Sequence, residues 1–296
     1  KMYYDNQVLE KSCDILAGNG KELEPDLTEK LKKLSMQLNK LLVDGVIVAF
    51  SGGIDSAMLL WAAKRVKDEN GGKLLAVTTD SPSLSRIELE AALKFAKELK
   101  VEHKIEQSEE LLDKKYVQND YDRCYYCKSE LFDITGSIAK SNEYKWVLYG
   151  YNFSDGSDIR PGHKAALENS VISPLADAGM TKDDIRVVLR SNHLTIAEKP
   201  ASPCLSSRIM TGISITEKRL NDIESMEMIL KKAGVKIFRV RLCQEDTELF
   251  LRIESAPEEM QTVLEQHEVL VAEGKKRGYK WVTLDLEPYR TGGGVS

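Results

Sequence analysis

No stretch of this 296-residue chain is apolar for the roughly 18 residues that a membrane helix needs. Nor does a basic start lead into an apolar run and a small-residue cleavage site, so the reading is of a cytoplasmic protein without a membrane partner. Positive charge is not in excess: 42 Lys and Arg face 47 Asp and Glu, a net charge of −5, which argues against a large nucleic-acid footprint. Cysteine is sparse and odd in number, with Cys13, Cys124, Cys127, Cys204 and Cys243 only. In a reducing compartment that pattern excludes a disulfide framework and turns attention to metal, cluster or thiol chemistry. Internal repeats and low-complexity tracts are also missing. What is present, 42% apolar and 30% charged residues, is enough for one large or two ordinary domains.

Residues 1–28 carry mixed charge and Gly18, Gly20 and Pro25, and read as an extension. From Thr28, a candidate N-cap, apolar residues recur at helical spacing through Leu42. Val46 to Phe50 is a short apolar run, largely β-branched, of the kind buried on both faces of a sheet. Helices are expected over 56–67, 85–100 and 127–140, and strands over 74–79, 101–105 and 146–149. This alternation predicts an α/β domain with a parallel sheet, whose ligands bind at the carboxyl ends of the strands. A Pro- and Ser-rich segment over 199–212 marks the boundary, giving a first domain over 29–204 and a smaller α+β domain over 205–296. There a helix over 216–233, an antiparallel pair over 235–243 and 248–253, a helix over 257–277 and a last strand over 279–286 are expected.

Two segments carry chemistry. The first strand runs directly into Ser51-Gly52-Gly53-Ile54-Asp55-Ser56 and then a helix. Two glycines let backbone N–H groups approach an anion, two serines add hydroxyls, and the helix adds its positive end. Asp55 is suited to orienting the loop or holding Mg²⁺. The lysine of a Walker loop is missing, and the pattern is not G-x-G-x-x-G. A bare Ser-Gly-Gly turn would be a plain capped strand-to-helix connection.

The second is Arg123-Cys124-Tyr-Tyr-Cys127-Lys128 at a helix start, with Cys204 far along in Pro203-Cys204-Leu-Ser-Ser-Arg208. A lone Cys-X-X-Cys is divided evenly between a metal site and nothing, and a structural zinc would need a fourth ligand such as His163 or His193, neither suitably spaced. A thioredoxin-like pair needs a different fold. Three thiolates suit a [4Fe-4S] cluster with one open iron. Cys13 and Cys243 read as bystanders.

Together with Asp158-Ile-Arg160-Pro-Gly162, Arg239-Val-Arg241 and Thr283-Leu-Asp285-Leu, these motifs resemble, in order, the LarE family of PP-loop ATP pyrophosphatases (adenine nucleotide alpha hydrolase-like fold) from about residue 30 onward. The resemblance implies a sulfur transferase of nickel-pincer nucleotide biosynthesis, serving lactate racemase. A pyridinium dicarboxylate mononucleotide is adenylated with ATP and Mg²⁺, and sulfur then displaces AMP to leave a thiocarboxylate. One form of the family sacrifices the sulfur of a single cysteine in the position of Cys204; the other holds a [4Fe-4S] cluster on three. Cysteine stands at all three positions here, so Cys124, Cys127 and Cys204 are the expected ligands. ATP is assigned to Ser51, Gly52, Gly53, Asp55, Ser56, Gly150 and Arg160. The substrate is assigned to Arg208, Arg239, Arg241 and Glu254, the two strand arginines sharing one face and suiting a phosphate. The family also implies a homo-oligomer, a trimer or hexamer; nothing in the residues identifies the sulfide source. Three readings compete: a PP-loop tRNA thiolase, an amide-forming synthetase of the same superfamily, and a non-catalytic nucleotide and iron-sulfur redox sensor. The 14 Lys and Arg against 15 Asp and Glu over 205–296 give the first no basic face.

Overall fold

In the computed structural model, which describes residues 16, 23–157, 161–200 and 202–290, the chain divides into two compact units. The first takes in residues up to Asp80, Arg86–Ser108 and Cys127–Ser202; the second, Ser81–Ser85, Glu109–Tyr126 and Pro203 onward.

The first unit is built on four parallel strands, β1 (Val46–Ala49), β2 (Leu74–Asp80), β3 (His103–Gln107) and β4 (Trp146–Tyr149), in the order β3-β2-β1-β4. Successive side chains point to opposite faces, and both faces are apolar. Val46, Val48, Leu74 and Ala76 meet α1 (Pro25–Val43), α2 (Ile54–Asn70), α3 (Arg86–Glu98) and α6 (Lys182–Ser191); Ile47, Leu75 and Val77 meet Ile138 and Ala139 of α4 (Arg123–Ser141). Helix α5 (Pro161–Glu168) follows β4. Leu31, Leu34, Leu38 and Leu42 of α1 are fully buried, each contributing about 1.5–3 kcal/mol. Leu16, from the segment expected to be an extension, lies in the same core.

Strand order puts the switch point between β1 and β4, the usual crevice for ligands in such sheets. Two readings of the sequence need correction. Thr28 is not an N-cap: α1 begins at Pro25, where the fixed φ of proline suits a first helical position, and the Thr28 hydroxyl bonds back to Glu24 O. Helix α4 starts at Arg123, so both cysteines lie inside it.

The second unit has α7 (Glu217–Lys232), the antiparallel pair β5 (Phe238–Glu245) and β6 (Glu248–Ser255), α8 (Met260–Glu265), α9 (His267–Lys276) and β7 (Val282–Leu284), which pairs parallel to β6. Thr216 caps α7 through Arg219 N, and Leu220, Ile223, Met226 and Leu230 form its buried stripe. Asp222 pins this helix to the end of α9: its carboxylate accepts from Arg277 at 2.7 Å, Lys218 at 2.7 Å and Tyr279 at 2.8 Å. The single helix expected over 257–277 is interrupted at Gln266, whose N–H bonds Val263 O at 3.0 Å, and His267 Nδ1 meets Leu264 O at 2.9 Å beside the break. The last strand is shorter than expected. Its neighbours Trp281 and Asp285 still bond to β6.

Candidate active site

At the end of β1 the chain turns through Gly52 at φ +71°, a conformation that needs glycine, and a Cβ there would lie 2.9 Å from Ala92 Cβ. Ser56 Oγ closes the loop from below, donating to Gly53 O at 3.0 Å and lying 3.1 Å from Ser51 Oγ. The N-cap of α2 is Gly53, whose lack of a side chain leaves the helix start open toward the loop. Gly150, just past β4, packs on that start so closely that a Cβ would lie 2.5 Å from Ser56 N.

Behind the loop, Thr78 donates its hydroxyl to Phe50 O, the last carbonyl before the turn, and meets His103 Nε2 at 2.8 Å. Since the Thr78 proton goes to Phe50, His103 donates, and burial holds its pKa below the usual imidazole value.

Asp55 is paired with Lys182 Nζ and accepts from Asn152 Nδ2 at 3.2 Å; the same amide reaches Asp155 at 2.8 Å. Lys199 Nζ bonds Gly52 O at 2.8 Å and Glu88 at 2.6 Å. The loop thus has two ammonium groups at its edge, both absent from the sequence reading. The capping box of Thr181 and Asp184 is the signal that would have placed Lys182 at the first position of a helix.

In the second unit, Cys204 heads a short turn over Leu205–Arg208. Arg208, only 3% exposed, gives its guanidinium to Cys204 O at 2.9 Å, to Pro203 O, and to Glu227 at 3.0 Å. Arg123 donates to Ser206 O at 3.1 Å and to Asn119 Oδ1. Burial would lower the Arg123 pKa, but Cys204 and Cys124 beside it hold it above the ordinary value. Burial pushes the Cys204 thiol up, Cys124 and Glu110 add to the rise, and Arg123 and Arg208 oppose it.

Arg241 and Glu254 form a buried pair at 2.6 Å, and Arg241 also reaches Ser207 O at 3.2 Å. Glu254 Oε1 accepts from Arg252 at 3.0 Å, while Oε2 is buried without a hydrogen-bond partner. Arg239 is half-buried against the Tyr289 ring, 4.8 Å from its centroid. Burial, then the charges of Arg208 and Arg241, lower its pKa. Tyr289 and Glu227 act the other way, and Arg208 and Arg241 are each paired with a carboxylate, Glu227 and Glu254.

The PP-loop domain profile matches residues 23–120. The pyridinium-3,5-bisthiocarboxylic acid mononucleotide synthase of Lactiplantibacillus plantarum is 31% identical over 247 residues, 83% of this chain and 87% of that protein. The chain belongs to the LarE family. Two further relatives frame the match: the uncharacterized protein slr1717 of Synechocystis sp. is 37% identical over 268 residues, 90% of this chain and 97% of its own length. An NH₃-dependent NAD⁺ synthetase of Campylobacter jejuni is 33% identical over only 107 residues, 36% of this chain and 35% of that enzyme.

A LarE-family chain with a PP-loop domain is an ATP-dependent enzyme. No helix among the described residues is long and apolar enough to cross a membrane. Arg160 and Cys13 lie outside the described residues. Cys124 and Cys127 are one turn apart on α4, and thiolates are the donors that iron–sulfur clusters take. Among the described residues, no three or more His, Cys, Asp or Glu side chains are already gathered around a metal position.

Proposed function

We propose that the protein adenylates a carboxylate of a pyridinium dicarboxylate mononucleotide and replaces AMP with sulfur, giving the thiocarboxylate of nickel-pincer cofactor biosynthesis. The observation that carries this reading is the open helix start of α2 behind Ser51–Ser56, in a chain related across most of its length to a mononucleotide bisthiocarboxylate synthase.

Ser51, Gly52, Gly53 and Ser56 cradle the phosphates, Gly150 fixes the backbone under them, and Arg160 contacts the nucleotide. Asp55, paired here with Lys182, would hold Mg²⁺, which would neutralise charge on the phosphates together with the Lys182 ammonium. The substrate carboxylate attacks the α-phosphorus, forming a C–O–P linkage as the α–β phosphoanhydride breaks and pyrophosphate leaves. Sulfur then attacks the acyl carbon, and AMP departs with the electron pair of the broken C–O bond. The substrate phosphate lies against Arg239, in the field of Arg208 and Arg241. The unpartnered Oε2 of Glu254 accepts a bond from the substrate.

Cys124, Cys127 and Cys204 would hold a [4Fe-4S] cluster. When bound, the cluster supplies a sulfide that is not part of the chain, so turnover leaves Cys204 intact. Exposed Leu264, Val269 and Val271 on α8 and α9 give apolar area for the homo-oligomer included in this reading, which light scattering would detect. The cluster is tested by iron and acid-labile sulfide in anaerobically purified protein. About four iron and four or more acid-labile sulfides per chain are expected, falling sharply in Cys204→Ser. Iron-free protein after reconstitution overturns the cluster and makes Cys204 a sacrificial donor, to be sought as dehydroalanine by mass spectrometry.

A further inference from the structure

The turn that carries Cys204 is tied to a chain of buried hydroxyls ending on a carboxylate. Glu110, 3% exposed, accepts at Oε1 from the Ser81 hydroxyl and from the Tyr116 hydroxyl at 3.0 Å. Tyr116 has one hydroxyl proton and gives it to Glu110, so its 2.7 Å contact with Ser206 Oγ requires Ser206 to donate. Ser81 likewise spends its proton on Glu110, so Ser83 donates across the 2.7 Å between the two serines. Every hydroxyl of the group is thereby ordered toward one carboxylate. Tyr116 and Ser206 are 1% and 0% exposed, which leaves water no place to substitute for a lost bond and lets the aligned bonds polarise one another. Both ends of the network close on the residues after Cys204: Ser206 through its hydroxyl, and Leu205 through its N–H to Ser83 O at 2.8 Å. Packing alone does not call for a buried carboxylate, since replacing it together with its hydroxyl partners by apolar groups of the same shape can leave a core about as stable.

We propose that Glu110 is a positioning residue for Cys204. Acting through Tyr116 and Ser206, it holds the turn in a single arrangement and so fixes where the sulfur is presented. Its importance to catalysis rests on the reading of Cys204 as the sulfur-bearing residue, but the test reads the thiol itself and stands apart from the activity.

The full chain, reduced and freed of metal by chelation, is treated with iodoacetamide, and the rates at Cys204, Cys124 and Cys243 are followed by peptide mass spectrometry. Tyr116→Phe removes the hydroxyl and keeps the ring; Ser206→Ala removes the other end of the same link; Glu110→Gln keeps an accepting oxygen. Each of the first two is expected to raise the Cys204 rate about tenfold, the equilibrium worth of one buried hydrogen bond, with Cys124 and Cys243 unchanged. The double variant should equal the larger single effect, because both remove one link. Glu110→Leu, which leaves Tyr116 and Ser81 without their acceptor, should raise the Cys204 rate at least as far, while Glu110→Gln stays within about threefold of the unaltered chain; a Glu110→Leu rate equal to that of the unaltered chain would overturn the proposal. Unchanged Cys204 rates in both single variants, additive effects in the double, or a parallel rise at all three cysteines would each overturn the proposal. Loss of the sulfur-transfer reading alone would show differently, as thiocarboxylate formation that survives Cys204→Ser.

Discussion

Gly150→Ala tests the phosphate site through a single methyl group. The added Cβ would lie 2.5 Å from Ser56 N, 2.7 Å from Ser56 Cα and 2.8 Å from the Asp55 carbonyl carbon. All three are backbone atoms at the start of α2, so no side chain can swing aside. To reach ordinary contact at about 3.4 Å, β4 and the helix start must separate by roughly 0.9 Å. Overpacking of this kind costs about 1–3 kcal/mol of stability. The kinetic cost is larger, since a misplacement of about an ångström in a positioning element lowers rates about hundredfold. Pyrophosphate release in the presence of the mononucleotide, measured against ATP concentration, should fall by that factor in kcat/KM. Gly136→Ala is the control: it lies inside α4 with nothing within 4 Å of its would-be Cβ, and should stabilise by about 0.5–1 kcal/mol without changing kinetics. A Gly150→Ala enzyme with unaltered kinetic constants would refute the placement of ATP against this backbone.

The other predictions follow from individual contacts. Lys182→Ala leaves Asp55 without its ammonium and should lower kcat/KM for ATP at least about tenfold, with Lys182→Arg recovering part; an unchanged ATP dependence removes Lys182 from the site. Thr78→Val strips the buried Phe50 carbonyl of its hydroxyl donor and should cost about 1–3 kcal/mol in denaturant titration, which Thr78→Ser restores. Burial would raise the Asp222 pKa, but Lys218, Arg277 and Tyr279 together hold it below the usual carboxylate value. A lowered folded pKa stabilises above the unfolded value near 4 and is lost as pH falls through the folded one, so Asp222→Asn should cost about 2 kcal/mol at pH 7 and progressively less in acid. A gap independent of pH would show that the charge of Asp222 is not what holds α7 to the end of α9.

Much of the first unit was legible because its signals are local. The run Val46–Phe50 followed by Ser-Gly-Gly announces a buried strand entering a loop, and β2 and β4 are apolar enough to stand out, whereas the polar β3 was expected two residues early, over 101–105. Helix α6 escaped notice although Ile185, Val188 and Leu189 recur at helical spacing and Thr181 starts a capping box. Pairings across the chain have no such signature. Lys182 is 127 residues from Asp55, and no spacing rule connects them. The second unit borrows Ser81–Ser85 and Glu109–Tyr126 from within the sheet domain's sequence, so Glu110 and Tyr116 could not be associated with Cys204 before the fold was known. The arginines show the same limit. Strand periodicity puts Arg239 and Arg241 on one face, yet it does not tell that Glu254, in register with Arg239, pairs with the buried Arg241 while Arg239 stays half-exposed.

The central claim, that ATP activates a carboxylate for replacement by sulfur, is tested most directly by one anaerobic reaction. The reconstituted protein is incubated with ATP, Mg²⁺, sulfide and the pyridinium dicarboxylate mononucleotide, and nucleotide products are analysed by mass spectrometry. The account predicts AMP, pyrophosphate and a mononucleotide in which sulfur has replaced a carboxylate oxygen, the sulfur-bearing product being absent with Cys204→Ser. Release of ADP and phosphate, or of pyrophosphate with no sulfur entering the substrate, would contradict it.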